Sequence, residues 1–111
     1  MSTQSHTPGP NKLPGRYLQF QNQYPDIFQA YEALGAATAA AGPLEGKTRA
    51  LVKLAIALGG EREGAVHSHT RRAIEAGCSA AEIRHVALLA TTTMGFPGMM
   101  KTLSWIEDVL K

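Results

Sequence analysis

The sequence has one cysteine, no long uninterrupted apolar run and no strong excess of either charge. Cys78 is the only cysteine among 111 residues, which excludes an internal disulfide and a multi-cysteine zinc site. A lone thiol also suits a reducing compartment.

The longest apolar run, ALVKLAIAL, is interrupted by Lys53 and is far shorter than the roughly 20 residues that span a bilayer. The start, MSTQSHTPGPNK, has no apolar stretch typical of a signal peptide. We therefore expect a soluble, cytoplasmic protein without a membrane partner.

The charge pattern argues against nucleic acid as a partner. Eleven Lys and Arg residues against nine Asp and Glu residues give a formal net charge of +2. The basic residues are scattered singly or in short pairs such as Arg71-Arg72, so no basic run could follow a phosphate backbone.

Glycine and proline divide the chain into segments with the apolar periodicity of helices rather than strands. The length suits one domain. We expect residues 1–14 to form a disordered or extended tail and residues 15–111 to form a single all-α domain of about five to six helices. The predicted helices cover approximately residues 25–41, 46–58, 61–76, 80–91 and 97–110. Ser79 and Glu82 form a capping-box pattern at the start of the fourth, and residues 91–96 are predicted to be a turn or a kink.

Four large apolar residues are concentrated around the last predicted junction: Met94, Phe96, Met99 and Met100. A bundle this small has too few elements to cover all of its apolar surface alone. We therefore predict a homo-oligomer.

Two histidines, in His67-Ser68-His69, stand two residues apart in the third predicted helix. Residues two apart are separated by about 200° around a helix, so their side chains diverge. A shared metal ion is not expected, and no metal ligand is assigned. His69 shares a face with Val66 and Ala73 and is the buried candidate: either a core histidine with one hydrogen bond or a general acid or base.

Two other polar residues, His67 and Lys53, also have two interpretations each. His67 follows Glu63 by one helical turn, and the two side chains form either a surface pair or a proton relay. Lys53 either covers apolar surface with its stem or binds an acidic substrate. Cys78 would be reactive only if a helix N-terminus or a cation lowered its pKa, and His85 is expected at a boundary between polar and apolar faces.

From Lys47 to Leu110 the sequence resembles the carboxymuconolactone decarboxylase and alkylhydroperoxidase D-like family. The most specific elements are the phrases HTRRAIEAG, SAAEI and GFP, the last followed by an amphipathic helix. The resemblance implies an all-helical fold that assembles as trimers or hexamers, with the site close to subunit contacts.

The redox branch of that family uses a glutamate followed twelve residues later by Cys-x-x-Cys-x-x-x-His. When His69 is taken as the histidine, Ala65 and Arg62 stand at the cysteine positions and Ala50 at the glutamate. Three of the four groups are missing, so the resemblance predicts a member without thiol peroxidase activity.

The decarboxylase branch needs no cysteine pair and acts on an acidic lactone. By that resemblance the chain would perform cofactor-independent acid–base chemistry on a small acidic or lactone-type metabolite. His69 would transfer the proton, His67 and Glu63 would support it, and Arg62 or Lys53 would hold a carboxylate. The alternatives are a non-catalytic oligomeric binding or scaffold protein of the same fold and, last, the thiol peroxidase.

The absence of a second thiol gives a direct prediction about peroxide reduction. Purified protein supplied with a dithiol reductant is expected to consume an alkyl hydroperoxide no faster than Cys78→Ser, because a nucleophilic and a resolving thiol are both required. A Cys78-dependent turnover in a coupled peroxidase assay would contradict this prediction.

Overall fold

A computed structural model describes residues 15–111, and the predicted tail 1–14 lies outside the described residues. The chain divides into two compact units between Leu44 and Glu45. In the first unit lie helices α1 (Gly15–Gln23) and α2 (Pro25–Ala40). The second contains α3 (Gly46–Gly59), α4 (Glu63–Glu75), α5 (Ala80–Leu89), α6 (Thr91–Met94) and α7 (Phe96–Leu110). The single domain over 15–111 stays a prediction.

The all-α class is confirmed, because residues 15–111 contain no strand. Six of the helices have nine residues or more, and α6 is a single turn of four residues. None of the helices in this part of the chain is both long enough and apolar enough to cross a membrane.

The first unit pairs its two helices through aromatic side chains. The rings of Tyr17 and Phe28 meet edge to face at 5.4 Å between centroids, and the Tyr17 hydroxyl donates to Glu32 Oε2 at 2.8 Å. Pro25 occupies the first turn of α2, where its missing N–H costs no helical hydrogen bond. Three large side chains of α2 are each more than half exposed: Ile27, Tyr31 and Leu34.

Helix α4 occupies the middle of the second unit, because it packs against both α3 and α7. Its buried positions are Val66, Thr70 and Ala73, whose small side chains allow the neighbouring helices to approach closely. The Thr70 hydroxyl donates to the Val66 carbonyl at 2.7 Å, which satisfies a polar group in the core. The fully buried large side chains around α4 are Leu54, Leu58, Ile83 and Ile106.

The backbone conformation of the neighbouring residues determines where α4 begins and ends. The helix starts two residues later than predicted, because Glu61 has φ +50° and Arg62 is extended. At the other end Gly77 has φ +97°, a conformation that favours glycine. The Gly77 and Cys78 amides then donate to the Ile74 and Ala73 carbonyls, each at 3.0 Å, which is a Schellman motif.

The capping box that predicts the start of α5 is confirmed. The Glu82 amide donates to Ser79 Oγ at 3.0 Å, and the Ser79 amide donates to Glu82 Oε1 at 2.8 Å. The predicted turn or kink after α5 consists of the short α6 and of Gly95 at φ +86°. In the cluster of large apolar residues there, Met99 is buried but Phe96 and Met100 are exposed.

The core around α4 gives a stability prediction. Leu54→Ala is expected to lower the free energy of unfolding by about 2–5 kcal/mol, because it removes a fully buried side chain and leaves a cavity. Leu89→Ala is the matched control, since Leu89 is 65% exposed, and should cost much less. Denaturant unfolding of the three proteins at one concentration measures this, and equal losses in both variants would contradict the assigned core.

Candidate active site

An open pocket of about 300 Å³ lies on the surface of α3 and α4. Three candidates from the sequence line it: Lys53, Arg62 and His69. The remaining lining consists of small or apolar residues: Ile56, Ala57, Gly60 and Ala65. The pocket therefore combines two cationic side chains, one imidazole and an apolar floor, at a size that suits a small metabolite.

Helical spacing explains why these residues meet. On α3, Lys53 stands one turn before Ala57 and two turns before Gly60, the residue that follows the helix. On α4, Ala65 and His69 are one turn apart and share a face. Arg62 is the extended residue that precedes the helix, and it lines the same pocket. The short connection through Glu61 joins α3 to α4 and brings the pocket residues of the two helices next to each other. Glu61 is itself ion-paired with Lys101 of α7.

His69 is half-buried rather than a core residue. The sequence placed it on an inward stripe with Val66 and Ala73, and those two are fully buried. The third core position of α4 is Thr70 rather than His69, so the centre of the buried face is turned away from His69. This rotation leaves His69 at the edge of the core, where its ring lines the pocket.

The surroundings of His69 favour its neutral form. Burial lowers the pKa of the imidazole, and the positive charges of Lys53 and Arg72 lower it further. A pKa below the ordinary 6.5 means that the ring is uncharged at neutral pH and can accept a proton. Neither Lys53 nor Arg62 forms an ion pair within residues 15–111. Their charges face the pocket without a carboxylate of this part of the chain to balance them.

His67 and Glu63 do not line this pocket. His67 Nε2 lies 3.0 Å from Asp108 Oδ2 of α7 and 3.9 Å from Glu63 Oε2. A carboxylate can only accept, so Nε2–H donates to Asp108. The sequence paired His67 with Glu63 but gave no signal for Asp108, which lies 41 residues further along the chain.

The remaining candidates lie away from the pocket. Cys78 is 7% exposed, and burial, followed by the nearby charge of Glu82, raises the pKa of its thiol. A buried thiol with a raised pKa is a poor nucleophile. His85 is exposed on α5.

Comparison with known proteins identifies the family. A model of the carboxymuconolactone decarboxylase family matches residues 25–108. The chain belongs to this family. An uncharacterized protein from Haemophilus influenzae is 46% identical to the chain over 51 residues. That match covers 46% of this chain and 45% of the relative, so the chain spans less than half the length of the relative that it matches. No solved structure matches.

The predicted lack of a redox pair is confirmed, because the chain has one cysteine. The two positions that the resemblance assigns to the cysteines of the redox branch, Arg62 and Ala65, line the pocket together with His69. Ala50, at the glutamate position, packs against the hydrophobic core instead. In this member of the carboxymuconolactone decarboxylase family, a guanidinium and a methyl group thus face the histidine in place of two thiols.

The electrostatics of the pocket can be tested on the imidazole itself. Lys53→Met is expected to raise the pKa of His69, because it removes a nearby positive charge and keeps the apolar stem. Since burial remains, the pKa should stay below 6.5. Lys47→Met is the control, because Lys47 is ion-paired with Glu82. NMR titration of the His69 ring in metal-free buffer measures the shift, and a pKa that falls in Lys53→Met would contradict the assignment.

Proposed function

We propose that the chain is a cofactor-independent enzyme that performs acid–base chemistry on a small acidic or lactone-type metabolite. One observation carries this proposal: a half-buried imidazole with a lowered pKa shares a small pocket with two cationic side chains that lack an ion-pair partner within residues 15–111. An enzyme of this kind needs a neutral base next to a site for an anion.

Each side chain has a distinct task in the proposed reaction. The carboxylate of the substrate binds to Arg62 and Lys53, and the guanidinium can hold it through two parallel hydrogen bonds. His69 accepts a proton from the substrate and becomes an imidazolium. The negative charge that develops on the substrate is stabilised by the two cations, and the imidazolium then returns the proton to the product.

The apolar floor contributes by excluding water from one side of the substrate. Ile56, Ala57 and Ala65 supply methyl and methylene groups but no competing hydrogen-bond donors. Electrostatic attraction between the anion and the two cations is stronger next to such a surface than in bulk water.

His67 and Glu63 have an indirect part in this proposal. His67 links α4, the helix that carries His69, to α7 through Asp108, and Glu63 lies beside the His67 ring. They are therefore proposed as positioning residues for the pocket. With a single, unpaired thiol, the protein is proposed to work in the cytoplasm.

A homo-oligomer, trimeric or hexameric by the resemblance, is part of the proposal. Ile56 lines the pocket and is 69% exposed. An apolar side chain in that position is available for contact with a second subunit. The same exposed surface supports the second candidate function, a non-catalytic oligomeric binding or scaffold protein. A monomeric mass in light scattering at low micromolar concentration would contradict the oligomer.

The test of catalysis is a screen of lactones and small carboxylic acids, repeated with variants. His69→Ala is expected to lower kcat/KM by about 100-fold or more, as loss of a general acid–base group does. Lys53→Met and Arg62→Met should mainly raise KM, because they remove contacts to the substrate carboxylate. His85→Ala is the matched control and should leave both constants unchanged.

The outcomes separate the two functions. Turnover that survives His69→Ala would place the reaction elsewhere and contradict the proposed site. Binding of small anions that depends on Lys53 and Arg62, without turnover of any compound in the screen, would favour the non-catalytic binding protein. His67→Ala should reduce activity less than His69→Ala, in keeping with an indirect part.

A further inference from the structure

We propose that Glu63, His67 and Asp108 form a binding site for a divalent transition-metal ion of the zinc type between α4 and α7. These residues place one nitrogen and two carboxylate oxygens within 4.8 Å of one another. The site is separate from the pocket at Lys53, Arg62 and His69 and does not depend on the function proposed for that pocket.

The distances fit a single ion. Zinc binds imidazole nitrogen and carboxylate oxygen at about 2.0–2.2 Å, so two ligand atoms of a tetrahedral ion lie roughly 3.3–3.5 Å apart. The His67 Nε2 to Asp108 Oδ2 distance is 3.0 Å, and the His67 Nε2 to Glu63 Oε2 distance is 3.9 Å. One distance is slightly shorter and the other slightly longer than the ideal. Because the Glu63 side chain is 59% exposed, it can close the remaining gap by rotation at little cost.

The histidine distinguishes this site from an ordinary group of surface acids. The His67 side chain is only 25% exposed and is already held by Asp108 from the neighbouring helix. Its position therefore costs little additional side-chain entropy when an ion binds. The two carboxylates provide two negative charges, which balance a divalent cation in a partly buried place.

The donor set also selects the kind of ion. Imidazole nitrogen is a good ligand for zinc and for other late transition metals, whereas calcium and magnesium prefer shells of six or more oxygen atoms. Three protein ligands leave at least one position for water. Mg²⁺ and Ca²⁺ are thus expected to bind much more weakly than Zn²⁺.

Binding requires a change of proton position at His67. In the absence of the ion, Nε2–H donates to Asp108. The ion needs the lone pair of Nε2, so the proton leaves that nitrogen and the neutral ring carries its proton on Nδ1. The metal then replaces the hydrogen bond as the link between α4 and α7, which are 41 residues apart at these positions.

The test is titration of the tag-free chain of 111 residues with ZnCl₂ by calorimetry after treatment with a chelator. One ion per chain is expected. Asp108→Asn keeps the shape and a hydrogen bond to His67 but removes a charge, and it should weaken binding at least tenfold. His67→Gln and Glu63→Gln should act in the same direction. His85→Ala, which removes an exposed histidine of α5, and His6→Ala are the controls, and both should change the affinity less than about twofold.

A second measurement separates loss of the site from loss of the fold. Circular dichroism without metal should show the same helix content in Asp108→Asn as in the unaltered protein. Saturating Zn²⁺ should raise the thermal midpoint of the unaltered protein, since it binds the folded state, but not that of Asp108→Asn. Absence of saturable one-to-one binding would overturn the site. Binding that Asp108→Asn leaves intact, or that His85→Ala or His6→Ala removes, would overturn it equally.

Discussion

The packing of α4 between α3 and α7 is the constraint on which the rest of the structure depends. Val66, Thr70 and Ala73 fill the contact with small side chains, and this fixes the rotation of the helix about its own axis. Once that rotation is set, helical geometry determines where the two histidines point. His69 lines the pocket formed with α3, whereas His67 reaches Asp108 on α7. One helix thus places its two histidines in two different chemical environments.

The two environments differ chiefly in the sign of their charge. Lys53, Arg62 and Arg72 lie around His69. Burial, followed by the positive charges of Lys53 and Arg72, holds the pKa of the ring down. Around His67 the neighbours are Glu63 and Asp108, so the same type of side chain lies between carboxylates. A small anion suits the first environment and a cation suits the second. In this member of the carboxymuconolactone decarboxylase family, Arg62 stands at a position that the resemblance assigns to a thiol, and it lines the same pocket as His69.

Local sequence signals predicted much of the fold. Periodicity gave the class and five of the helices, and Ser79 with Glu82 predicted the start of α5, because a capping box involves only neighbouring residues. Helix α1 had no comparable signal, and its pairing with α2 depends on Tyr17 and Phe28 across the turn. The late start of α4 was missed because nothing in the sequence shows that Glu61 adopts a positive φ.

The individual residues of the candidate site could be predicted from the sequence, but most of their contacts could not, because these depend on how the helices pack. Lys53, Arg62 and His69 were each recognised as chemically capable, but their meeting depends on the turn that joins α3 and α4. Asp108 was not found, since its contact with His67 arises only when α7 returns to α4. The sequence left open whether His69 is a core histidine or a partly buried acid or base, because periodicity alone does not fix the rotation of a helix finely enough to decide between His69 and Thr70.

The central claim is that Lys53, Arg62 and His69 act together as an anion-binding acid–base site. The most direct measurement is an NMR titration of the isotopically labelled protein with a small dicarboxylate such as succinate. Saturable shifts are expected for the Gly60, Arg62 and Ala65 amides and for the His69 ring. These shifts should be lost in Arg62→Met and unaffected by His85→Ala. The absence of saturable shifts at these groups, or shifts that persist unchanged in Arg62→Met, would contradict this claim.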